Sequence, residues 1–103
     1  MIMNQIDLQL DVIEMRKAAL VFRAVNHNFR QQILKLLQAN EKLNVTDIYV
    51  RLRVEQSVAS QHLSILRKAA FVVTQRDGKN IYYSINHDRL SLIQELGSKI
   101  TAQ

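Results

Sequence analysis

The chain of 103 residues contains no cysteine, no proline and only two glycines. Without cysteine there can be no disulfide, no thiolate metal ligand and no thiol redox switch. Without proline, and with 48% hydrophobic residues, most of the chain is free to be helical and little of it reads as disordered linker. No apolar run is long enough to cross a bilayer, and the first residues lack the charged start, apolar stretch and small-residue cleavage site of a secretion signal. These absences point to a cytoplasmic protein without a membrane partner. No repeat or low-complexity tract divides the sequence, so residues 1–103 are read as one domain, with room for a single core but not for a roomy enzymatic cleft as well. Fourteen lysines and arginines against nine acidic residues give a formal charge of +5. That modest excess suits nucleic acid or an anionic surface, although many ordinary proteins share it.

The most informative stretch is 54–85, VEQSVASQHLSILRKAAFVVTQRDGKNIYYSI. At about 100° per residue, Gln56, Ser57, Ser60, Gln61, Ser64, Arg67 and Lys68 share one arc of a helix, and Val58, Ala59, Leu63, Ile65, Leu66, Ala69 and Ala70 share the other. The polar arc holds no acid. Its front turn carries hydroxyls and amides that can donate to and accept from base edges, and its rear turn carries cations suited to phosphate. A solvated face of an ordinary surface helix has the same polarity. The hairpin that follows adds to the DNA reading. Residues 71–75 and 81–85 are rich in β-branched and aromatic side chains, Asp77 and Gly78 lie between them, and Arg76 and Lys79 flank the tip where they can reach a phosphate backbone.

The rest of the chain reads as helices. A first helix over about 7–25 has two apolar stripes, Leu8, Val12, Met15, Ala19 and Phe22 on one side and Leu10, Ile13, Leu20 and Ala24 on another. One stripe can cover the domain core, and the other calls for a second subunit unless the helix is enclosed centrally. Asn26 or Asn28 is expected to cap a second helix through Ile33, Leu34, Leu36 and Leu37, ending near Asn40. Thr46 is expected to cap a short third helix with Val45, Ile48 and Leu52 inward. Arg53 and Val54 form a turn that glycine would suit better. A last helix after Asn86 repeats Leu90, Ile93, Leu96 and Ile100 and can pair with the first across a dimer axis. The expected fold is mostly α with a small β-hairpin, a dimeric winged helix-turn-helix.

From about Leu20 to Leu96 the chain resembles the ArsR/SmtB family of bacterial winged helix-turn-helix repressors. The resemblance rests on AVNHNFRQQILKLL, on VTDIYVRLRVEQSVASQHLSILRKAAFV with its specific core SVASQHLSILR, and on TQRDGKNIYYSI. It implies a homodimer joined by the first and last helices (about 7–25 and 87–101), a helix-turn-helix over 46–70 and a wing over 71–85. The implied interface residues are Leu10, Ile13, Leu20, Leu90, Ile93, Leu96 and Ile100. The family's DNA-facing positions fall on Gln56, Ser57, Ser60 and Gln61. Departures are His27 and Asn28 where Asp-Pro is common, Arg53 at the turn glycine, Glu55 at the serine cap and Ala70 where glycine often precedes the wing.

Gln56 and Gln61 are the better specificity candidates, because an amide can pair with adenine in a bidentate way. Ser57 and Ser60 suit phosphate or either base type, and Arg67 and Lys68 suit phosphate or solvent. His62 falls on the apolar side and reads as a packed or hydrogen-bonded structural residue. Many ArsR-type proteins release DNA on binding metal, but the cysteine pair expected in the third helix is replaced here by Val45 and Asp47 around Thr46, and the last helix offers only His87, Asp88 and Glu95. No metal or other cofactor is expected, and no enzyme either, since His27, His62 and His87 sit on separate elements without catalytic spacing. The expected partner is double-stranded DNA carrying an inverted repeat, bound for repression. A winged-helix module that binds protein instead of DNA is the alternative.

Overall fold

A computed structural model of the protein describes residues 8–101, with side chains from residue 12 onward. Among these residues the order is α1 (Leu8–Val25), α2 (Asn28–Ala39), β1 (Leu43–Asn44), α3 (Val45–Leu52), α4 (Gln56–Lys68), β2 (Val72–Asp77), β3 (Asn80–Ile85) and α5 (His87–Thr101). The strands form an antiparallel sheet in the order β1-β3-β2. The sequence predicts the hairpin but not β1, whose Leu43 and Asn44 pair with Tyr83 and Tyr82. A two-residue strand has no periodicity to read, and its partner lies far along the chain.

The core gathers Ile33, Leu34 and Leu37 from α2, Ile48 from α3, Ala59, Leu63 and Leu66 from α4, Phe71 from the junction of α4 and β2, and Val72 and Ile85 from the sheet. These are the apolar positions that helical and alternating periodicity bring to one side of each element. Ile65, placed by periodicity on the apolar arc of α4, is exposed, at the edge of that arc facing α1.

Several ends differ from the sequence reading. His27, not Asn26 or Asn28, caps α2, its Nδ1 accepting from the Phe29 amide at 3.1 Å. Asn44, not Thr46, caps α3 in a reciprocal box: the Asp47 amide donates to Asn44 Oδ1 at 2.8 Å and the Asn44 amide to Asp47 Oδ2 at 3.3 Å. Pairing of Asn44 in β1 fixes it just ahead of the first turn, which is where a cap must stand. Helix α4 stops at Lys68 rather than reaching Ala70, because Ala70 turns left-handed (φ 64) to redirect the chain into β2. Arg53 likewise adopts a left-handed conformation (φ 58, ψ 46) at the end of α3. Both positions lack the glycine that would take this backbone without a Cβ clash. Glu55 precedes α4 with no side-chain cap bond. In the hairpin the pairing continues to Asp77 opposite Asn80, so the turn residues are Gly78 and Lys79, one step later than expected, with Gly78 at φ +64.

The largest differences lie at the two ends of the chain. Residues 12–20 of α1 are all exposed, on both apolar stripes, and among the described side chains of the helix those packed on the core are Val21, Ala24 and Val25. Burial on α1 therefore divides along its length rather than by face, because an 18-residue helix outreaches a body this small; the described residues extend 57 × 26 × 22 Å. In α5, Leu90 and Ile93 lie partly buried against the chain's own core, while Leu96 and Ile100 are exposed. The expected four-residue interface stripe is thus split, since the start of α5 is tied down where Asn86 donates through Nδ2 to the Ala70 carbonyl at 2.9 Å and accepts from the Arg89 amide at 3.2 Å.

Candidate nucleic-acid interface

Burying Ala59, Leu63 and Leu66 turns the opposite side of α4 outward, and Gln56, Ser57, Ser60 and Gln61 are all exposed there. Ser64 is half-buried because the wing approaches it. Ser60, Ser64 and Arg67 share a cleft of about 260 Å³ with Thr74, Ile81 and Tyr83 of the wing. An adjoining cleft of about 230 Å³ brings Ser60 toward Thr46 at the start of α3 and toward Lys79 and Asn80 at the hairpin tip. Hydroxyls, amides and cations thus converge from α3, α4 and the wing on one side of the molecule, the combination that positions a protein on phosphate while leaving amides free for base edges.

Not every predicted residue joins that set. Lys68 lines an apolar groove of about 370 Å³ between α4 and α1, together with Lys17, Leu20 and Ile65, and no wing residue lines it. Arg76 is exposed on β2, opposite Ile81. The sequence reading missed Thr46 as a surface hydroxyl because it was assigned to capping; with Asn44 in that role, Thr46 is exposed at the cleft. Thr74 and Tyr83 were missed as well, though they face each other across the hairpin and alternation along the strands marks them as same-face neighbours. Lys42 adds a cation beside the wing, its Nζ 4.9 Å from the centre of the Tyr82 ring.

The histidines are less scattered than their sequence positions suggest. His27 and His62 lie with ring centroids 4.8 Å apart, and the Phe29 ring packs tilted by 55° against His62 with centroids 4.9 Å apart. His62 Nδ1 lies 3.2 Å from Nη1 of the buried Arg30. Burial, then the nearby His27 and Arg30 charges, push the His62 pKa below its ordinary value of 6.5. His62 is thus the hydrogen-bonded structural residue that the sequence suggests. Among the described residues no group of three or more His, Asp or Glu side chains is placed to hold a metal ion, and no helix is long and apolar enough to cross a membrane.

A family model described as "Bacterial regulatory protein, arsR family" matches residues 29–73, from α2 into β2. The transcriptional repressor PagR of Bacillus anthracis is 32% identical over 91 residues, covering 88% of this chain and 91% of PagR. The chain belongs to the ArsR family. Another similar sequence is the transcriptional activator HlyU of Vibrio cholerae, 32% identical over 87 residues that cover 84% of this chain and 80% of HlyU. The crystal structure of NolR from Sinorhizobium fredii matches with a TM-score of 0.73 and 33% identity, over 87% of this chain and 89% of NolR. ArsR membership makes this protein a winged helix-turn-helix, DNA-binding regulator of transcription, and it does not favour the protein-binding alternative. Its matched relatives are transcription regulators rather than enzymes.

Proposed function

We propose that the protein acts in the cytoplasm as a homodimeric repressor on double-stranded DNA, one winged helix-turn-helix domain per chain, reading an inverted-repeat operator with α4 and gripping it with the wing. The observation that carries this reading is the acid-free outer face of α4, where Gln56, Ser57, Ser60 and Gln61 stand exposed beside a cleft shared with the wing. Gln56 and Gln61 read bases, Ser57, Ser60 and Ser64 contact phosphate or base edges, and Arg67, Arg76 and Lys79 contact the backbone. Thr46 joins the backbone contacts. Lys68 is a backbone contact only if its long side chain turns from the α1 groove toward DNA.

The dimer is proposed from the exposed apolar surface at the chain's two ends. Ile13 and Leu20 on α1 are 44% and 60% exposed, and Leu96 and Ile100 on α5 are 38% and 65% exposed. Leu10 belongs to the same proposed face but its side chain lies outside the described residues. Leu90 and Ile93 support the face from beneath. Apolar surface of this extent on a small chain is what a partner covers. Selection of bound duplexes from a random DNA pool tests the reading: enrichment of a two-fold symmetric sequence is expected, and failure to enrich any sequence would favour the protein-binding alternative.

A further inference from the structure

Arg30 is buried, yet among the described residues no carboxylate compensates it. Its Nε donates to the Ala24 carbonyl at 2.6 Å and its Nη2 to the Arg23 carbonyl at 3.1 Å. Both acceptors lie in the last turn of α1, the negative end of that helix's dipole. The third bond crosses to α4: guanidinium can only donate, so Nη1 donates to His62 Nδ1 at 3.2 Å and that nitrogen must be unprotonated. One side chain of α2 therefore ties the helix proposed for dimerisation to the helix proposed for reading. The adjacent His27 also uses Nδ1 as an acceptor, from the Phe29 amide at 3.1 Å, to cap α2.

We propose that His27, Arg30 and His62 form a proton-responsive joint that holds α1 at a set angle to α4, so that acid loosens the joint and weakens operator binding. Imidazolium has no lone pair. A proton on His62 breaks the bond from Arg30 and sets a second positive charge against a buried first one; a proton on His27 removes the cap of α2 and adds a third. The groups acting on His62 are His27, which caps α2, and Arg30 within that helix, while α1 presents the carbonyls of Arg23 and Ala24. The local field thus resists protonation, as the downward push on His62 also indicates. The penalty runs in one direction. A histidine held below 6.5 when folded takes up its proton more readily when the chain unfolds, so stability is lost as pH falls from 6.5 toward the lowered value. In a two-fold dimer the angle between α1 and α4 sets the separation of the two reading helices, so a loosened joint costs the paired site more than either half.

The inference rests on the DNA-binding reading, and the test separates the two. Operator affinity is measured on the full-length protein at constant ionic strength from about pH 8 to about pH 5, for the wild type and for the His27→Asn/His62→Asn double variant, whose amide oxygens stand where the two Nδ1 acceptors stood and do not titrate. Added positive charge alone would tighten DNA binding in acid. The joint predicts the opposite for the wild type, a loss of at least about fivefold, with the double variant flat or tightening. Equal pH dependence in both proteins overturns the proposal. Should no duplex bind specifically near neutral pH, the DNA-binding reading fails on its own, and the joint is then decided by thermal unfolding over the same pH range: the wild type must lose stability in acid faster than the double variant. Arg30→Lys, which keeps the charge but cannot make the three-way contact, is the positioning control; it should broaden the preferred spacing between half-sites while leaving affinity for one half-site unchanged. An unaltered spacing preference refutes the role assigned to Arg30.

Discussion

Gln61 and Arg76 should fail in different ways when truncated. Gln61→Ala removes an amide that can hold adenine at two points, so base preference at one position of each half-site should relax by about 1–3 kcal/mol. Arg76→Ala or Lys79→Ala should weaken every duplex alike and reduce the slope of log affinity against log salt by about one unit for each phosphate that is no longer neutralised. Binding curves over a salt series distinguish the two, and wing variants with an unchanged slope would remove the hairpin from the interface. Strain is a second residue-level matter. Arg53 and Ala70 hold left-handed backbone without being glycine, so Arg53→Gly and Ala70→Gly should each raise stability by about 0.5–1 kcal/mol, read as a shift of the urea midpoint. Both positions were legible in the sequence as places where glycine was wanted. The caps were not. Asn26, His27 and Asn28 are adjacent polar residues that can all cap, and only the helix path decides that His27 does; Asn44 owes its role to a strand pairing that local sequence cannot show.

At the scale of elements, periodicity was a good guide wherever one face meets one core. Helices α2 and α4 and the hairpin lie where the apolar spacing puts them. Phe71, fully buried at the junction of α4 and β2, anchors that packing, and Phe71→Ala should cost about 3–5 kcal/mol in chemical unfolding. Helix α4 itself begins weakly, since Glu55 makes no cap bond. Replacement by serine (Glu55→Ser) should add about 0.5–2 kcal/mol and remove a negative charge from the approach to phosphate, raising DNA affinity most at low salt. A gain in stability without any gain in affinity would place the start of α4 away from the DNA. Helix α1 shows where periodicity misleads: its two stripes are real, but burial depends on how far the helix runs past the body, which is a property of the assembled fold. The clefts lined by Thr46, Thr74 and Tyr83 are likewise products of assembly, joining residues from α3, α4 and both long strands.

At the scale of the whole molecule, the proposed dimer joins two copies through α1 and α5 and sets two α4 helices on DNA. Leu96→Asp, a charge set into the exposed apolar surface of α5, should shift the chain to monomer in sedimentation and lower operator affinity with it. Transition metals should not alter DNA binding, because a coupling large enough to matter, about 1–3 kcal/mol, needs several ligands held together, and His27 and His62 already spend their Nδ1 atoms on Phe29 and Arg30. Titrating zinc, copper or nickel into the complex checks this; release near one equivalent per chain would point to a site assembled between subunits from His87, Asp88 or Glu95. The most direct measurement is the affinity for a selected operator before and after about 5 base pairs, half a helical turn, are inserted between its half-sites. Two rigidly joined reading helices cannot follow half-sites rotated to opposite faces of the duplex, so binding should collapse to that of a single half-site. Undiminished affinity for the lengthened duplex would contradict the account.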